Sequence, residues 1–192
     1  MRAGDRERGY RMQFDEHKLG MSVALEEAQH ALSIGEVPVG ACVVLDGEVL
    51  SRACNLRETL RDPTAHAEII ALRRAAFIVG TWRLTGATMY VTLEPCAMCA
   101  GALVLARIDK VVFGTRDPKA GACGSVMDVP GNRSLNHRVE VIGPFMEQEC
   151  KGLLQEFFRN MRNESRTMAY SEPPELAGEE TGDEVVTPGS GS

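Results

Sequence analysis

The chain has 192 residues and a mass of 20.9 kDa, with 44% apolar and 25% charged residues, which is typical of one soluble globular domain. It contains no run of 18 apolar residues and no apolar stretch behind its charged N-terminus, so we expect neither a transmembrane helix nor a secretory signal. The net charge of −6 comes from Ser171–Ser192, which holds six of the 27 acidic residues and none of the 21 basic ones. Residues 1–170 are therefore neutral overall, and the charge does not argue against local binding of an anion.

Charge and proline content also divide the chain. We expect an N-terminal extension over residues 1–13 and one folded domain over residues 14–170. The acidic segment at the C-terminus contains three prolines and closes on Gly-Ser-Gly-Ser, which predicts a disordered tail over residues 171–192.

Hydrophobic periodicity predicts the element order α-β-β-α-β-α-β-β-α. The predicted helices span residues 14–34, 67–79, 96–106 and 147–168. The predicted strands span residues 39–45, 48–54, 88–93, 110–113 and 138–142. Asp46-Gly47 predicts a tight antiparallel hairpin between the first two strands, and strands joined through helices should be parallel. The fold class is therefore α/β, a three-layer α/β/α domain with a mixed sheet of roughly five strands.

Two cysteines have the spacing of metal ligands. Pro95-Cys96-Ala97-Met98-Cys99 places thiols at i and i+3, on one face of a helix and at its N-terminus, where thiolates are favoured. A C-x-x-C pair alone also fits a structural zinc knuckle or a redox dithiol. A structural zinc site needs four protein ligands, usually from a second C-x-x-C or a pair of histidines, and the other four cysteines are scattered singly.

His66-Ala67-Glu68 opens another predicted helix. One histidine and two cysteines leave zinc a fourth, open position, which is typical of a catalytic site. The interpretation requires the two helix N-termini to converge, because residues at i and i+2 do not share a helix face. Zinc would then make a water molecule nucleophilic near neutral pH, and Glu68 would move its proton. Such chemistry suits attack on an amidine-like ring carbon with loss of ammonia.

These motifs resemble the H-x-E and P-C-x-x-C signature of zinc-dependent cytidine and deoxycytidylate deaminases. A longer collinear set, from about Leu19 to Met168, is similar to the family of bacterial tRNA-specific adenosine deaminases. Its matching stretches are residues 36–40, 62–68, 90–101, 111–114, 136–139 and 157–159. The resemblance implies a cytidine-deaminase-like fold, a homodimer and conversion of adenosine to inosine at the wobble position of a tRNA anticodon.

The resemblance also implies roles for individual residues. One zinc ion per subunit would be held by His66, Cys96 and Cys99, and Glu68 would be the catalytic proton shuttle. Residues implied to bind the substrate are Asn55, Val37, Pro38, Asp117, Asn136, Phe157, Phe158, Arg159 and Arg162. Beyond Arg159 the match loosens, because Asn160 and Met161 stand where the family has more basic residues.

The zinc motif predicts deamination but does not select the substrate. A deaminase of free cytosine, cytidine or guanine could carry the same motif, and a structural-zinc RNA-binding module is a further alternative. Lys151, Arg159, Arg162 and Arg166 lie on the last predicted helix with Phe157 and Phe158 among them, which favours RNA contact. We therefore expect a cytoplasmic enzyme whose partner is a tRNA anticodon stem-loop, with no membrane association.

Overall fold

The computed structural model describes the backbone of residues 3–170 and the side chains of residues 14–163. Its helices are α1 (Ala3–Ser33), α2 (Arg57–Leu60), α3 (Ala67–Val79), α4 (Ala97–Ala106) and α5 (Glu147–Tyr170). Its strands are β1 (Gly40–Leu45), β2 (Glu48–Cys54), β3 (Thr88–Leu93), β4 (Lys110–Thr115) and β5 (Glu140–Ile142). The acidic tail predicted for residues 171–192 lies outside the described residues. No helix within residues 3–170 has the length and apolar character needed to cross a bilayer.

The strands form one mixed sheet in the order β2-β1-β3-β4-β5. Strand β1 is antiparallel to both β2 and β3, whereas the β3–β4 and β4–β5 pairs are parallel. Strands β2, β3 and β4 therefore run in one direction, as predicted for strands joined through helices. At the β1–β2 turn, Asp46 and Gly47 have φ values of 52° and 81°, the left-handed conformation that a type I′ turn requires.

Each face of the sheet has its own hydrophobic core. Alternate residues of β1 point to opposite faces, so Val43 packs in the larger core with α3 and α4 residues, and Cys42 packs in the smaller core with α1 and α5 residues. At Gly40, an added Cβ would lie 2.1 Å from the Ala24 carbonyl oxygen, so glycine is what allows α1 to approach β1 this closely. The predicted three-layer α/β/α fold with five strands is confirmed.

Two elements differ from the sequence-based prediction. Helix α1 begins at Ala3 rather than near Phe14, because its first turns are rich in charged helix-forming residues that carry no apolar periodicity. The predicted loop between β2 and α3 contains the short helix α2, which is too short to produce a periodic pattern.

Candidate active site

The candidate site lies along one edge of the sheet. Asn55 directly follows β2, Cys96 follows β3, and Asp117 follows β4, so the carboxyl ends of three strands that run in one direction deliver all three residues to this edge. Val37 and Val39 precede the antiparallel strand β1 and reach the same edge. Ligand sites in α/β proteins commonly form beyond the carboxyl ends of the strands.

His66 and Cys96 are the N-cap residues of α3 and α4, each with extended backbone conformation. The two helix N-termini meet, with the Cys96 and Cys99 sulfurs 3.7 and 3.5 Å from Nδ1 of His66. One donor atom from each of the three residues lies within 4.8 Å of the other two. The helix N-termini place partial positive charge where the thiolates would lie.

This donor set fits zinc. Tetrahedral zinc bonds of about 2.3 Å to sulfur and about 2.0–2.1 Å to nitrogen separate the two ligand atoms by about 3.5 Å, close to the observed sulfur–nitrogen distances. Among the described residues, the group that could hold a metal has three members. Three protein donors leave one tetrahedral position for a water molecule or substrate, as in catalytic rather than structural sites.

Electrostatics within the triad favour one thiolate. Hydrogen bonds from the Cys99 thiol and from His66 lower the pKa of Cys96 to about 3. The hydrogen bond to Cys96 in turn raises the pKa of His66, and the hydrogen bond with Cys96 together with burial raises the pKa of Cys99. The site therefore stabilises negative charge on the Cys96 sulfur, the form in which a cysteine binds a divalent metal.

Glu68 lies in the first turn of α3 and is only 4% exposed. Burial raises the pKa of this carboxyl above its ordinary value. Glu68, His66 and Cys96 line one cavity, so the carboxyl adjoins the candidate metal ligands rather than solvent.

The cavity has a volume of about 210 Å³ and is lined by Val37, Val39, Asn55, Arg57, His66, Ala67, Glu68, Leu93, Glu94, Cys96, Asp117 and Ala120. Sites for drug-sized ligands occupy roughly 300–1,000 Å³, so this cavity suits one small ring system. Of the residues implied to bind the substrate, Val37, Asn55 and Asp117 line it, while Pro38 is buried beside Val37.

The remaining predicted residues lie elsewhere. Asn136 is exposed and its Oδ1 accepts a hydrogen bond of 2.8 Å from Arg107. On α5, Phe157 is half-buried and contacts the exposed ring of Phe158 edge to face. Phe158, Arg159 and Arg162 line a second, more open groove of about 640 Å³.

Glu94 is a site residue that the sequence analysis missed. Its carboxylate is 2% exposed and accepts hydrogen bonds from the backbone N–H groups of Asp117, Cys123 and Ser125 and from the Ser125 hydroxyl. Burial alone would raise the pKa of Glu94, but these hydrogen bonds together hold it below its ordinary value. Glu94 thus ties the long loop after β4 to the segment that carries Cys96. The signal in the sequence that could have identified Glu94 was its position directly before Pro95-Cys96.

Glu36 and Arg57 were also missed. Glu36 is buried against Asn55, and Arg57 lines the cavity. Glu36 belongs to the stretch Glu36–Gly40 that carries the family resemblance, but no spacing rule connects it to Asn55.

The MafB19-like deaminase family model matches residues 15–162. The tRNA-specific adenosine deaminase of Bacillus subtilis is 50% identical over 149 residues, covering 78% of this chain and 92% of that protein. The tRNA-specific adenosine deaminase of Aquifex aeolicus is 48% identical over 143 residues, covering 74% and 94%.

A solved structure from work on A-to-I editing by tRNA:A34 deaminases at the wobble position of transfer RNA has a TM-score of 0.69. It is 43% identical and the match covers 71% of this chain and 99% of that one. The fold and the site thus define a deaminase, in agreement with the matches. The chain belongs to the MafB19-like deaminases and, among them, to the family of the tRNA-specific adenosine deaminases.

Proposed function

We propose that this protein is a zinc-dependent enzyme that deaminates adenosine to inosine at the wobble position of a tRNA anticodon loop. The observation that carries the proposal is the cavity in which Glu68 adjoins His66 and Cys96, two members of the donor triad that Cys99 completes. The names of the curated relatives supply the substrate.

His66, Cys96 and Cys99 would hold one zinc ion per subunit. When bound, zinc supplies Lewis-acid chemistry that makes a water molecule acidic enough to act as a nucleophile near neutral pH. Glu68 would take a proton from the attacking water and deliver it to N1 of adenine while the water oxygen bonds to C6. The second proton of that oxygen would then pass through Glu68 to N6, the C6–N6 bond breaks, ammonia leaves and C6 becomes the carbonyl carbon of inosine.

The cavity wall supplies the contacts to the base. Val37 would give an apolar surface for the purine, next to the buried Pro38, and Asn55 would offer an amide for hydrogen bonding. Asp117 would contact the flanking nucleotides. Asn136 remains a candidate for a contact with the nucleotides outside the cavity, because its side chain is exposed.

RNA binding is supported by the groove beside α5. Among its lining residues five are cationic and none is acidic: Arg116, Lys119, Lys151, Arg159 and Arg162. The loop after β4 lines both the cavity and the groove. Asp117 and Ala120 line the cavity, and Arg116 and Lys119 line the groove. A base splayed into the cavity would therefore leave its backbone next to the cations and to Phe158, which is exposed for stacking.

A homodimer is supported by an exposed apolar face on α4. Met98 and Leu105 are 37% and 71% exposed, and Gly101 and Ala102 lie on the same helix face between them. Ala100, another small residue of this helix, is fully buried in the larger core and is not available to a partner. We assign the enzyme to the cytoplasm, where its tRNA substrate occurs and where its six free cysteines stay reduced.

The test compares substrates. Zinc-loaded protein is incubated with an anticodon stem-loop containing adenosine at the wobble position and, separately, with free adenosine, cytidine, cytosine and guanine, and ammonia is measured. We expect release from the stem-loop, with inosine in the RNA product. A matched stem-loop with guanosine at the wobble position is the control. Ammonia from the free compounds alone would overturn the RNA substrate in favour of a nucleoside or base deaminase.

A further inference from the structure

Glu36 is a buried carboxylate behind the cavity wall. It is 1% exposed, and its two oxygens accept from different donors of the segment that leads to His66. Oε2 accepts from Nδ2 of Asn55 at 2.8 Å, and Oε1 accepts from the backbone N–H of Thr59 at 2.7 Å. Burying a carboxylate is unfavourable unless hydrogen bonds compensate, and these two contacts compensate the burial of Glu36.

Backbone hydrogen bonds also fix the main chain around Asn55. Its N–H donates to the Val39 carbonyl at 2.9 Å, and the N–H of Leu56 donates to the Ala65 carbonyl at 3.0 Å. The position of the Asn55 backbone is thus set by Val39, which precedes β1, and by Ala65, which precedes His66. What the backbone does not set is the rotation of the amide, which can present either its oxygen or its NH₂ group in a given direction.

A carboxylate removes this ambiguity, because it accepts hydrogen bonds and has no proton to donate. Only the NH₂ end of Asn55 can face Glu36. The Asn55 oxygen and its second N–H are then directed away from Glu36 in one fixed arrangement, and Asn55 lines the cavity.

We propose that Glu36 is a positioning residue for the reaction, which acts by fixing the amide orientation that Asn55 presents to the nucleoside. The inference rests on the proposed deaminase function.

The variant Glu36→Gln tests the orientation with little change of shape. The Thr59 N–H can only donate, so it must keep the oxygen of the new amide as its partner, which turns the new NH₂ group toward Asn55. Two NH₂ groups cannot hydrogen-bond to each other, so the Asn55 amide must invert to offer its oxygen. After this inversion the Asn55 oxygen faces Glu36, and only the NH₂ end of the amide is presented to the cavity.

The experiment is a double-mutant cycle on the zinc-loaded protein with the adenosine stem-loop. We expect Glu36→Gln to lower kcat/KM by about 10- to 100-fold, the scale of a misplaced positioning group, with zinc content unchanged. In the Asn55→Ala background the same substitution should change kcat/KM by less than about twofold, because the group it acts through is gone. Glu36→Asp, which still only accepts, should lose less than Glu36→Gln.

Ser51→Ala is the matched control, since Ser51 is buried, donates to the Ala71 carbonyl at 2.8 Å and does not line the cavity. Its kcat/KM should be unchanged. An equal loss for Glu36→Gln with and without Asn55, or no loss at all, would overturn the inference. If Glu36→Gln does not retain zinc, the cycle is run with Glu36→Ala, which removes the acceptor altogether, and is judged by the same criterion. Absence of wild-type activity on the stem-loop would instead refute the proposed function.

Discussion

Glu68 and His17 are both buried ionisable residues, yet their surroundings give them different roles. Glu68 adjoins His66 and Cys96 in a cavity, and both belong to the potential metal-binding triad. His17 lies against the other face of the sheet, where Nδ1 is 3.0 Å from the Tyr90 hydroxyl. Among the described residues, Nε2 of His17 has no hydrogen-bond partner. Burial alone therefore does not distinguish a candidate catalytic group, whereas the presence of potential metal ligands beside it does.

Replacing Glu68 by alanine separates catalysis from metal binding. We expect zinc content and thermal unfolding to stay close to wild type, because Glu68 is not one of the donor triad. Ammonia release should fall by at least about 100-fold, since proton transfer by a positioned group contributes about 10²–10⁴-fold. Elemental analysis and an ammonia assay measure the two effects. His66→Ala is the comparison, expected to lose zinc as well, and unchanged activity of Glu68→Ala would contradict its role.

His17 predicts a pH dependence of stability. Burial, then the nearby Lys110 charge, lower its pKa from the ordinary 6.5, although Glu16 and Glu140 act in the opposite direction. The folded protein therefore resists protonation of His17, while the unfolded chain binds the proton as the pH falls through 6.5. The contribution of neutral His17 to the free energy of unfolding is therefore complete above pH 6.5. Below pH 6.5 this contribution is lost, by at most about 1.4 kcal/mol per pH unit.

Urea unfolding at pH 7.5 and pH 5.5 measures this effect. The free energy of unfolding should decrease more in wild type than in His17→Gln, which cannot take up the proton. Other titrating groups contribute equally to both proteins and cancel in the comparison. Equal losses in the two proteins would show that His17 is not responsible.

At the scale of elements, the loop after β4 lines both the cavity and the groove beside α5. Glu94 holds this loop at three backbone N–H groups, so the loop can offer Asp117 to the cavity and Arg116 to the groove at once. The groove is built between this loop and α5, and neither element alone would form it.

Replacing Arg159 by alanine should weaken RNA binding, because one phosphate would no longer be neutralised by a guanidinium. The slope of the logarithm of the association constant against the logarithm of salt concentration should decrease by about 0.7–0.9 for each such phosphate. Fluorescence anisotropy with an anticodon stem-loop at several salt concentrations measures it. Lys18→Ala removes an exposed charge on α1 outside the groove and should leave the slope unchanged. A slope that also stays constant for Arg159→Ala would exclude Arg159 from phosphate binding.

At the scale of the whole molecule, helices cover both faces of the sheet, and α4 still exposes apolar surface. Leu105→Lys places a charge on that surface, where burial against a partner would be costly. We expect wild type to be a dimer and the variant a monomer by light scattering at micromolar concentration. Val49→Lys, on the outer strand β2, changes another exposed apolar residue and should stay dimeric. A dimeric Leu105→Lys would place the interface elsewhere.

Much of the local structure could be predicted from the sequence, because its causes are local. The Asp46-Gly47 turn, the bounds of α3 and the helix after Pro95 follow from turn chemistry, periodicity and capping. The first turns of α1 and the short helix α2 were not predicted, since they lack a periodic apolar pattern. The candidate metal ligands were identified by spacing and family resemblance.

The sequence by itself determined which residue types were available to the site and which helices would begin with them. Only the tertiary structure decided that His66 and Cys96, 30 positions apart, meet at one edge of the sheet. It also decided that Glu36 lies behind Asn55 and that Glu94 holds the loop after β4. Such contacts depend on how strands align and helices pack, and these are properties of the whole chain that no short pattern encodes.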